Sequence, residues 1–335
     1  MPFVYVSMPF EGGRRAQLEA ALPGGDFFYC PAPEVDDEAL ARADVIIGNV
    51  PPAKLALAQK LRFLQLNSAG SDNYAAPGVL PEGAVLCNAS GAYGLAISEH
   101  ILAGVLTLMK KLHLYARSQQ RHVWRSEGQV RSIFGSTFLI VGAGDIGGTL
   151  AEKAKALGAR TVGVRRTARQ KPAFLDEVYT MDALDDLLPR ADVAVLSLPK
   201  TPETTHLINA ARLGRMKPDG ILVNVGRGDC VVTEDLVAAL QAGRIGGAVL
   251  DVTDPEPLPE DHPLWDCENL VLTPHVSGFY HLPATLYNIQ SIAIRNLTAW
   301  GRGEGLENVV DFSTGYRKLP ESEESPACQT GRGGV

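Results

Sequence analysis

Phe138-Leu139-Ile140-Val141-Gly142-Ala143-Gly144-Asp145-Ile146-Gly147 is the stretch on which the fold turns. Four apolar residues, a strand by composition, run straight into glycines spaced G-x-G-x-x-G, and a helical pattern follows over Asp145–Leu157. In that context each glycine has a task. Gly142 permits the tight turn, Gly144 lets backbone come close to a pyrophosphate, and Gly147 lets the helix sit against the strand. The pyrophosphate would meet the free N–H groups and positive dipole end of the helix. Gly142, Gly144, Asp145 and Ile146 are the residues that would surround it. The next strand, Thr161–Val164, arrives at the spacing of a dinucleotide-binding βαβ unit.

The residues that end this second strand bear on the cofactor. A site selective for NAD carries Asp or Glu there, to accept hydrogen bonds from the ribose hydroxyls. This chain has Arg165-Arg166-Thr167-Ala168-Arg169 and no carboxylate. Guanidinium groups pair in bidentate fashion with phosphate, so the expected cofactor is NADP(H) in preference to NAD(H), held in part by Arg165 and Arg166.

Working outward, the alternation of strand and helix extends both ways. Val4–Met8, Asp26–Tyr29, Val45–Gly48, Phe63–Leu66 and Val85–Cys87 read as strands ahead of the glycine loop. Behind it, Phe138–Val141, Thr161–Val164, Val193–Leu198, Ile221–Val225, Ala248–Val252 and Leu270–Thr273 are six more. Helical stretches separate them, which implies parallel sheets built from βαβ units and an α/β class. One long helix is expected over Ile97–His113, with Ile101, Leu102, Val105, Leu108, Met109 and Leu112 as its apolar stripe. A last helix over Pro283–Trp300 is expected to pack back on the first segment. From Leu319 onward the chain has too little apolar content to order itself.

Composition narrows the function classes. The 335 residues suffice for about two domains. A net charge of -7, with no basic stripe, argues against nucleic acid and anionic membrane surfaces as partners. The longest uncharged apolar run in a helix, Ile101–Met109, is too short to span a bilayer. Five cysteines (Cys30, Cys87, Cys230, Cys267, Cys328) lie far apart, odd in number and without a CxxC pair. That pattern fits reduced thiols in a cytoplasmic protein and offers no metal-ligand spacing.

Three more stretches place ionisable residues just after apolar strands: Asn224-Val225-Gly226-Arg227-Gly228, Asp251 to Pro259, and Leu272-Thr273-Pro274-His275-Val276-Ser277-Gly278. Ligands of doubly wound folds bind outside the carboxyl ends of strands. Each residue alone has a structural explanation: a surface cation, a loop carboxylate, a satisfied histidine. Together Arg227, Glu256 and His275 supply a carboxylate clamp, a group to orient and stabilise an imidazolium, and a proton donor.

With these residues on the page, the chain resembles the D-isomer-specific 2-hydroxyacid dehydrogenases, a family that includes glyoxylate/hydroxypyruvate reductases and 3-phosphoglycerate dehydrogenases. The likeness runs to about Tyr316 and includes Ser197-Leu198-Pro199-Lys200-Thr201-Pro202-Glu203-Thr204 and Met216-Lys217-Pro218. It implies a catalytic Arg227, Glu256 and His275. Cofactor contacts are implied at Leu198, Pro199, Thr204, Val225, Gly226, Asp251, His275 and Gly278 besides the glycine loop. A substrate carboxylate would be held by Arg227 and by backbone N–H groups of Ser68, Ala69 and Gly70, within Asn67–Asn73. The implied fold is two doubly wound parallel-sheet domains, a Rossmann cofactor domain (93–283) inserted into a flavodoxin-like substrate domain (1–92 and 284–318), with 319–335 a flexible tail.

The expected reaction reduces a small 2-oxo acid to the D-2-hydroxy acid by hydride transfer from NAD(P)H, with His275 as general acid/base. The alternatives are phosphoglycerate dehydrogenase, an NAD(H)-sensing corepressor-like binding protein, and, less compatible with Glu256, formate dehydrogenase. A homodimer is expected from the apolar fringe Ile97, Val105 and Leu114 of the long helix and from the stretch His113–Arg131. In that dimer Trp124 would lie close to the partner's active site.

Overall fold

The computed structural model describes residues 1–166 and 171–318. Its frame is two parallel sheets. The first contains β1 (Phe3–Val6), β2 (Asp26–Tyr29), β3 (Val45–Ile47), β4 (Phe63–Gln65) and β5 (Val85–Cys87), in the order β2-β1-β3-β4-β5. This is the flavodoxin-like strand order. Helices α1 (Gly12–Ala21) and α2 (Asp37–Leu40) and a 3₁₀ turn at Pro52–Leu57 carry the crossovers from β1 to β2, β2 to β3 and β3 to β4. Val4, Tyr5, Val6, Val45, Ile46 and Ile47 are fully buried. Unbroken apolar strands of this kind require cover on both faces, which the crossovers provide.

The expected single helix over Ile97–His113 is two helices, α3 (Gly94–Met109) and α4 (Leu112–Gln120). The break falls at Lys111, whose φ of 57° is left-handed. The two lysines there are tied to the returning chain: Lys110 Nζ donates to the carbonyl of Arg131 at 2.6 Å, and Lys111 Nζ to that of Glu127. Leu112, expected on the buried stripe, is consequently 52% exposed, whereas Ile101, Val105 and Met109 are buried on α3.

The second sheet is assembled from β6 (Thr137–Val141), β7 (Arg160–Arg165), β8 (Glu177–Thr180), β9 (Val193–Leu196), β10 (Ile221–Asn224), β11 (Gly247–Leu250) and β12 (Leu270–Leu272). Its order is β12-β11-β10-β9-β6-β7-β8, every pair parallel. Helix α5 (Asp145–Ala156) links β6 to β7; α6 (Leu184–Leu187), α7 (Ala210–Leu213) and α8 (Thr233–Gln241) lie on later crossovers. Strand β8 escaped the sequence reading because it is a half-buried edge strand with no apolar run. From β6 the chain winds outward to β8, then returns to β9 on the other side of β6. A crevice therefore opens at the carboxyl ends of β6 and β9, the topological switch point where such folds bind ligands.

Two elements join the sheets. Helix α3 lies on the second sheet, so close that a Cβ on Gly104 would stand 2.5 Å from Val249 Cγ1. Helix α9 (Pro283–Arg302) starts on a proline, ends at left-handed Gly303, and packs on α1. A short antiparallel hairpin, β13 (Val310–Asp311) and β14 (Tyr316–Arg317), follows. Among the described residues no helix is long and apolar enough to cross a membrane. Arg169, Cys328 and the segment 319–335 lie outside the described residues.

The return of α9 is fastened by Asn296, 1% exposed. Its amide donates to Gln65 Oε1 at 2.7 Å and to the carbonyl of Glu307 at 2.9 Å, and it accepts from Glu307 N at 2.8 Å. Removing it strands a buried acceptor on β4, at a cost of about 1–3 kcal/mol. Asn296→Ala should therefore lower the urea midpoint of unfolding accordingly; an unchanged midpoint would show that these bonds do not hold the helix down.

Candidate active site

Every candidate in the second sheet sits at its carboxyl edge. The glycine loop follows β6, Leu198 and Pro199 follow β9, Arg227 follows β10, Asp251 and Glu256 follow β11, and His275 follows β12. The loops are locked together by close backbone approach. A Cβ on Gly226 would stand 2.6 Å from the carbonyl oxygen of Leu198, and one on Gly228 would stand 1.9 Å from that of Thr253. No other residue fits those two positions without moving the neighbouring loop.

The glycine loop passes the physical test for a pyrophosphate cradle. Gly142 has φ 97°, a conformation costly to any residue with a Cβ, and a Cβ there would meet the carbonyl of Ser197 at 2.6 Å. The Ser197 hydroxyl donates to the Gly142 carbonyl at 2.8 Å, tying the β9 end to the loop. A Cβ on Gly147 would meet that same carbonyl at 2.4 Å, so the glycine allows the helix to pack. Gly144, by contrast, is uncrowded: its own chain neighbours apart, a Cβ there would meet only the Tyr316 hydroxyl, at 4.0 Å, among the described residues. The N–H groups of Asp145 and Ile146 at the start of α5 have no acceptor among the described residues. An anion over Gly144 would supply one. The Asp145 side chain points elsewhere: Oδ2 accepts from Gly91 N at 3.1 Å, beside the start of α3.

At the end of β7, Arg165 folds back over this loop, its Nη2 donating to the Ala143 carbonyl at 2.8 Å. Arg166 is exposed. Its charge contributes, after hydrogen bonds within their own turns, to holding the Glu203 and Asp311 carboxyls below the usual range. Thr204 shapes the 199–204 turn, its hydroxyl donating to the Pro199 carbonyl and accepting from Thr201 N, both at 2.8 Å.

His275 and Glu256 meet: Nδ1 lies 2.6 Å from Glu256 Oε1, with both side chains about half exposed. His275 occupies a left-handed φ of 53°. Asp251 holds it there. This carboxylate is 1% exposed and accepts from Thr273 Oγ1 at 2.6 Å, Val276 N at 2.9 Å and Ser277 N at 3.0 Å. The Asp251 carbonyl also accepts from His275 N at 2.8 Å. Both carboxylate oxygens are thus committed to the histidine turn. His100, on α3, supports it through Thr273 Oγ1 at 3.1 Å.

Arg227 crosses to the first sheet. Its Nη1 donates to the Gly226 carbonyl, and its Nη2 to Asp72 Oδ1, each at 2.9 Å. Burial opposes ionisation of Asp72, but the guanidinium outweighs it and holds the carboxyl below its usual range. The adjacent Gly70 leaves room for this: a Cβ there would lie 1.7 Å from Arg227 Nη2. The 67–73 loop is rigidly set. Asn49 Nδ2 donates to Ser68 Oγ at 3.0 Å, Ser68 Oγ to the Gly70 carbonyl at 2.7 Å, and Asn88 Nδ2 to the Ala69 carbonyl at 2.8 Å. The N–H groups of Ala69 and Gly70 have no acceptor among the described residues.

Sequence reasoning missed several residues here. Asp72 lay inside the quoted loop, but nothing local says that it faces an arginine 155 residues away. Tyr93 and Tyr280 close on Asn67 from two sides: the Tyr93 hydroxyl donates to its carbonyl, and its side-chain amide donates to the Tyr280 hydroxyl. Burial pushes the Tyr280 hydroxyl up to about 12. Neither tyrosine carries a motif that would have flagged it.

Residues 102–277 match the family model of the D-isomer specific 2-hydroxyacid dehydrogenase NAD binding domain. A glyoxylate/hydroxypyruvate reductase B of Pectobacterium carotovorum is 34% identical over 289 residues, covering 83% of this chain and 89% of that protein. A D-3-phosphoglycerate dehydrogenase of Synechocystis is 34% identical over 221 residues, 65% of this chain but 39% of that one. Among solved structures, an NADPH-dependent glyoxylate/hydroxypyruvate reductase from Sinorhizobium meliloti, in complex with NADP and sulfate, superposes with a TM-score of 0.79. It is 28% identical, over 94% of this chain and all of that one. The chain belongs to the D-isomer specific 2-hydroxyacid dehydrogenases, NAD(P)-binding oxidoreductases of the Rossmann type.

Proposed function

We propose that this enzyme reduces a small 2-oxo acid of the glyoxylate or hydroxypyruvate kind to the D-2-hydroxy acid, with Arg227, Glu256 and His275 as its chemical core. The observation that carries this reading is the His275–Glu256 contact of 2.6 Å at the carboxyl edge that also bears Arg227. Bound at the glycine loop, the nicotinamide cofactor supplies the hydride. The residues of the chain do the rest. With Nδ1 facing Glu256, Nε2 of His275 is the atom that passes a proton to the carbonyl oxygen. Arg227 binds the substrate carboxylate through its forked donors and polarises the carbonyl, aided by the N–H groups of Ala69 and Gly70. Leu198, Pro199, Val225, Gly226 and Gly278 wall the cofactor in this reading.

The substrate loop favours an uncharged side chain on the acid. Residues 67–75 carry amides, hydroxyls and one carboxylate, Asp72, with no cation. The loop itself offers a second anionic group, such as a phosphate, no cation, and its one carboxylate is paired with Arg227. This disfavours 3-phosphoglycerate. The same reading assigns 93–283 to a cofactor domain inserted into a substrate domain of 1–92 and 284–318. A spectrophotometric panel of glyoxylate, hydroxypyruvate and 3-phosphohydroxypyruvate against NADH and NADPH tests it. Turnover of the phosphorylated acid alone would select the phosphoglycerate reading, and turnover of none would select the binding-protein one. In the same assay His275→Ala should lower kcat by about 10²–10⁴-fold while cofactor affinity is largely kept.

NADPH is the preferred cofactor in this reading, supported by Arg165 and Arg166 where an acid would select NAD, and by the NADP bound to the Sinorhizobium relative. Arg165→Asp should weaken NADPH binding by about 10–100-fold, the worth of a charge-assisted hydrogen bond, and NADH binding far less. Equal kcat/KM for both cofactors in the unmodified enzyme would refute the preference.

Assembly as a homodimer is part of the same proposal, on changed grounds. Of the expected fringe, Ile97 and Val105 are buried within the chain and leave nothing for a partner, while Leu114 is half-buried. Exposed apolar residues recur along the stretch that follows α3: Leu112, Val123, Val130, Phe134 at 79%, and Trp124 fully exposed. Such a surface marks an interface, and two-fold dimers are the commonest solution. The free cysteines Cys30, Cys87, Cys230 and Cys267 are in keeping with a reducing cytoplasmic setting. Light scattering at micromolar concentration should give twice the chain mass; an active monomer would refute the dimer.

A further inference from the structure

The hairpin β13–β14 plays no part in the reading above, yet it stands where the site's loops meet. Val310, 1% exposed, seats its base in the core of the first sheet. Asp311 shapes its turn, the carboxylate accepting from Ser313 N at 2.8 Å and Ser313 Oγ at 2.7 Å, and the carbonyl from Gly315 N at 2.8 Å. On one side the Ser71 hydroxyl, in the loop that faces Arg227, donates to the Gly315 carbonyl at 2.9 Å. On the other, the Tyr316 hydroxyl stands 4.0 Å from the point that a Cβ on residue 144 would occupy. Beyond Gly144's own chain neighbours, no other described atom comes as near to that point. The positive field of Arg166 reaches Asp311 as well. The hairpin thus adjoins the substrate loop, the glycine loop and the basic turn.

We propose that this hairpin is a third wall of the dinucleotide site, in which the Tyr316 hydroxyl donates a hydrogen bond to a pyrophosphate oxygen of the bound cofactor. The proposal rests on the dinucleotide reading of the glycine loop. Gly144 is the residue over which backbone and pyrophosphate come together in such loops. The N–H groups of Asp145 and Ile146 offer donors from the helix side. Tyr316 offers one from the opposite side, on a half-buried ring whose place is set by the pairing of Asp311 with Tyr316. Because Ser71 holds the same turn, the hairpin also links the position of the substrate loop to that of the cofactor.

The test is Tyr316→Phe, which keeps the ring and removes the donor. Dissociation constants for NADPH and NADH would be read from the fluorescence of the reduced nicotinamide, and that for adenosine 2′-monophosphate, which lacks a pyrophosphate, by calorimetry. A hydrogen bond to a charged oxygen is worth about tenfold or more in affinity. Both dinucleotides should therefore weaken by the same factor, about tenfold, with the monophosphate unaffected. Unchanged dinucleotide affinity, a loss confined to NADPH, or an equal loss for the monophosphate would each overturn the proposal. A wild-type chain that bound neither dinucleotide would remove the dinucleotide reading itself, and the proposal with it.

Discussion

Parallel strands cannot be joined by a tight turn; each connection must travel back along the sheet before the next strand begins. That constraint organises the whole molecule. Every strand of both sheets runs in one direction, so all strands of a sheet end at one edge, and the loops leaving that edge are free to carry chemistry. In the second sheet the edge bears the glycine loop, Arg227, Asp251, Glu256 and His275 within five neighbouring strands. In the first it bears Asn49, the 67–73 loop and Ala89. The Arg227–Asp72 pair shows that the two edges face each other.

Bringing so many loops together leaves little space for side chains, and glycine answers that need. Gly70, Gly226 and Gly228 are required less for unusual dihedral angles than for contact: each sits where an added carbon would collide with Arg227, Leu198 or Thr253. Gly142 is required for both reasons. Gly144 differs from all of these, since an added carbon there would collide with nothing among the described residues, the Tyr316 hydroxyl standing 4.0 Å away. A glycine that is not needed for packing within the chain is the one that makes room for something from outside it.

Charge follows the same economy. Asp251 is buried, and the loop that carries His275 is wrapped around it so that its oxygens are satisfied by two backbone N–H groups and a hydroxyl. An unsatisfied buried carboxylate would be costly, so the histidine turn and the carboxylate stabilise each other. Glu256 is half exposed and, among the described residues, meets only the imidazole. One acid therefore sets where the ring stands, and the other engages its Nδ1.

The amino-acid sequence by itself determined the α/β class, eleven of the strands in the two sheets, the glycine loop, and the strand-end positions of Arg227, Glu256 and His275. These were legible because each depends on local pattern: apolar runs, glycine spacing, and a polar residue just after a strand. Other features came from tertiary structure alone. The break at Lys111 arises because both lysines reach carbonyls sixteen or more residues away. Strand β8 has no apolar run of its own and forms by pairing with β7. The commitment of Asp251 to the histidine turn, the partnership of Asp72 with Arg227, and the arrival of Tyr316 over Gly144 all join residues distant in the chain. Periodicity and spacing carry no record of such pairs; they exist only once the sheets have folded and turned their carboxyl edges toward each other.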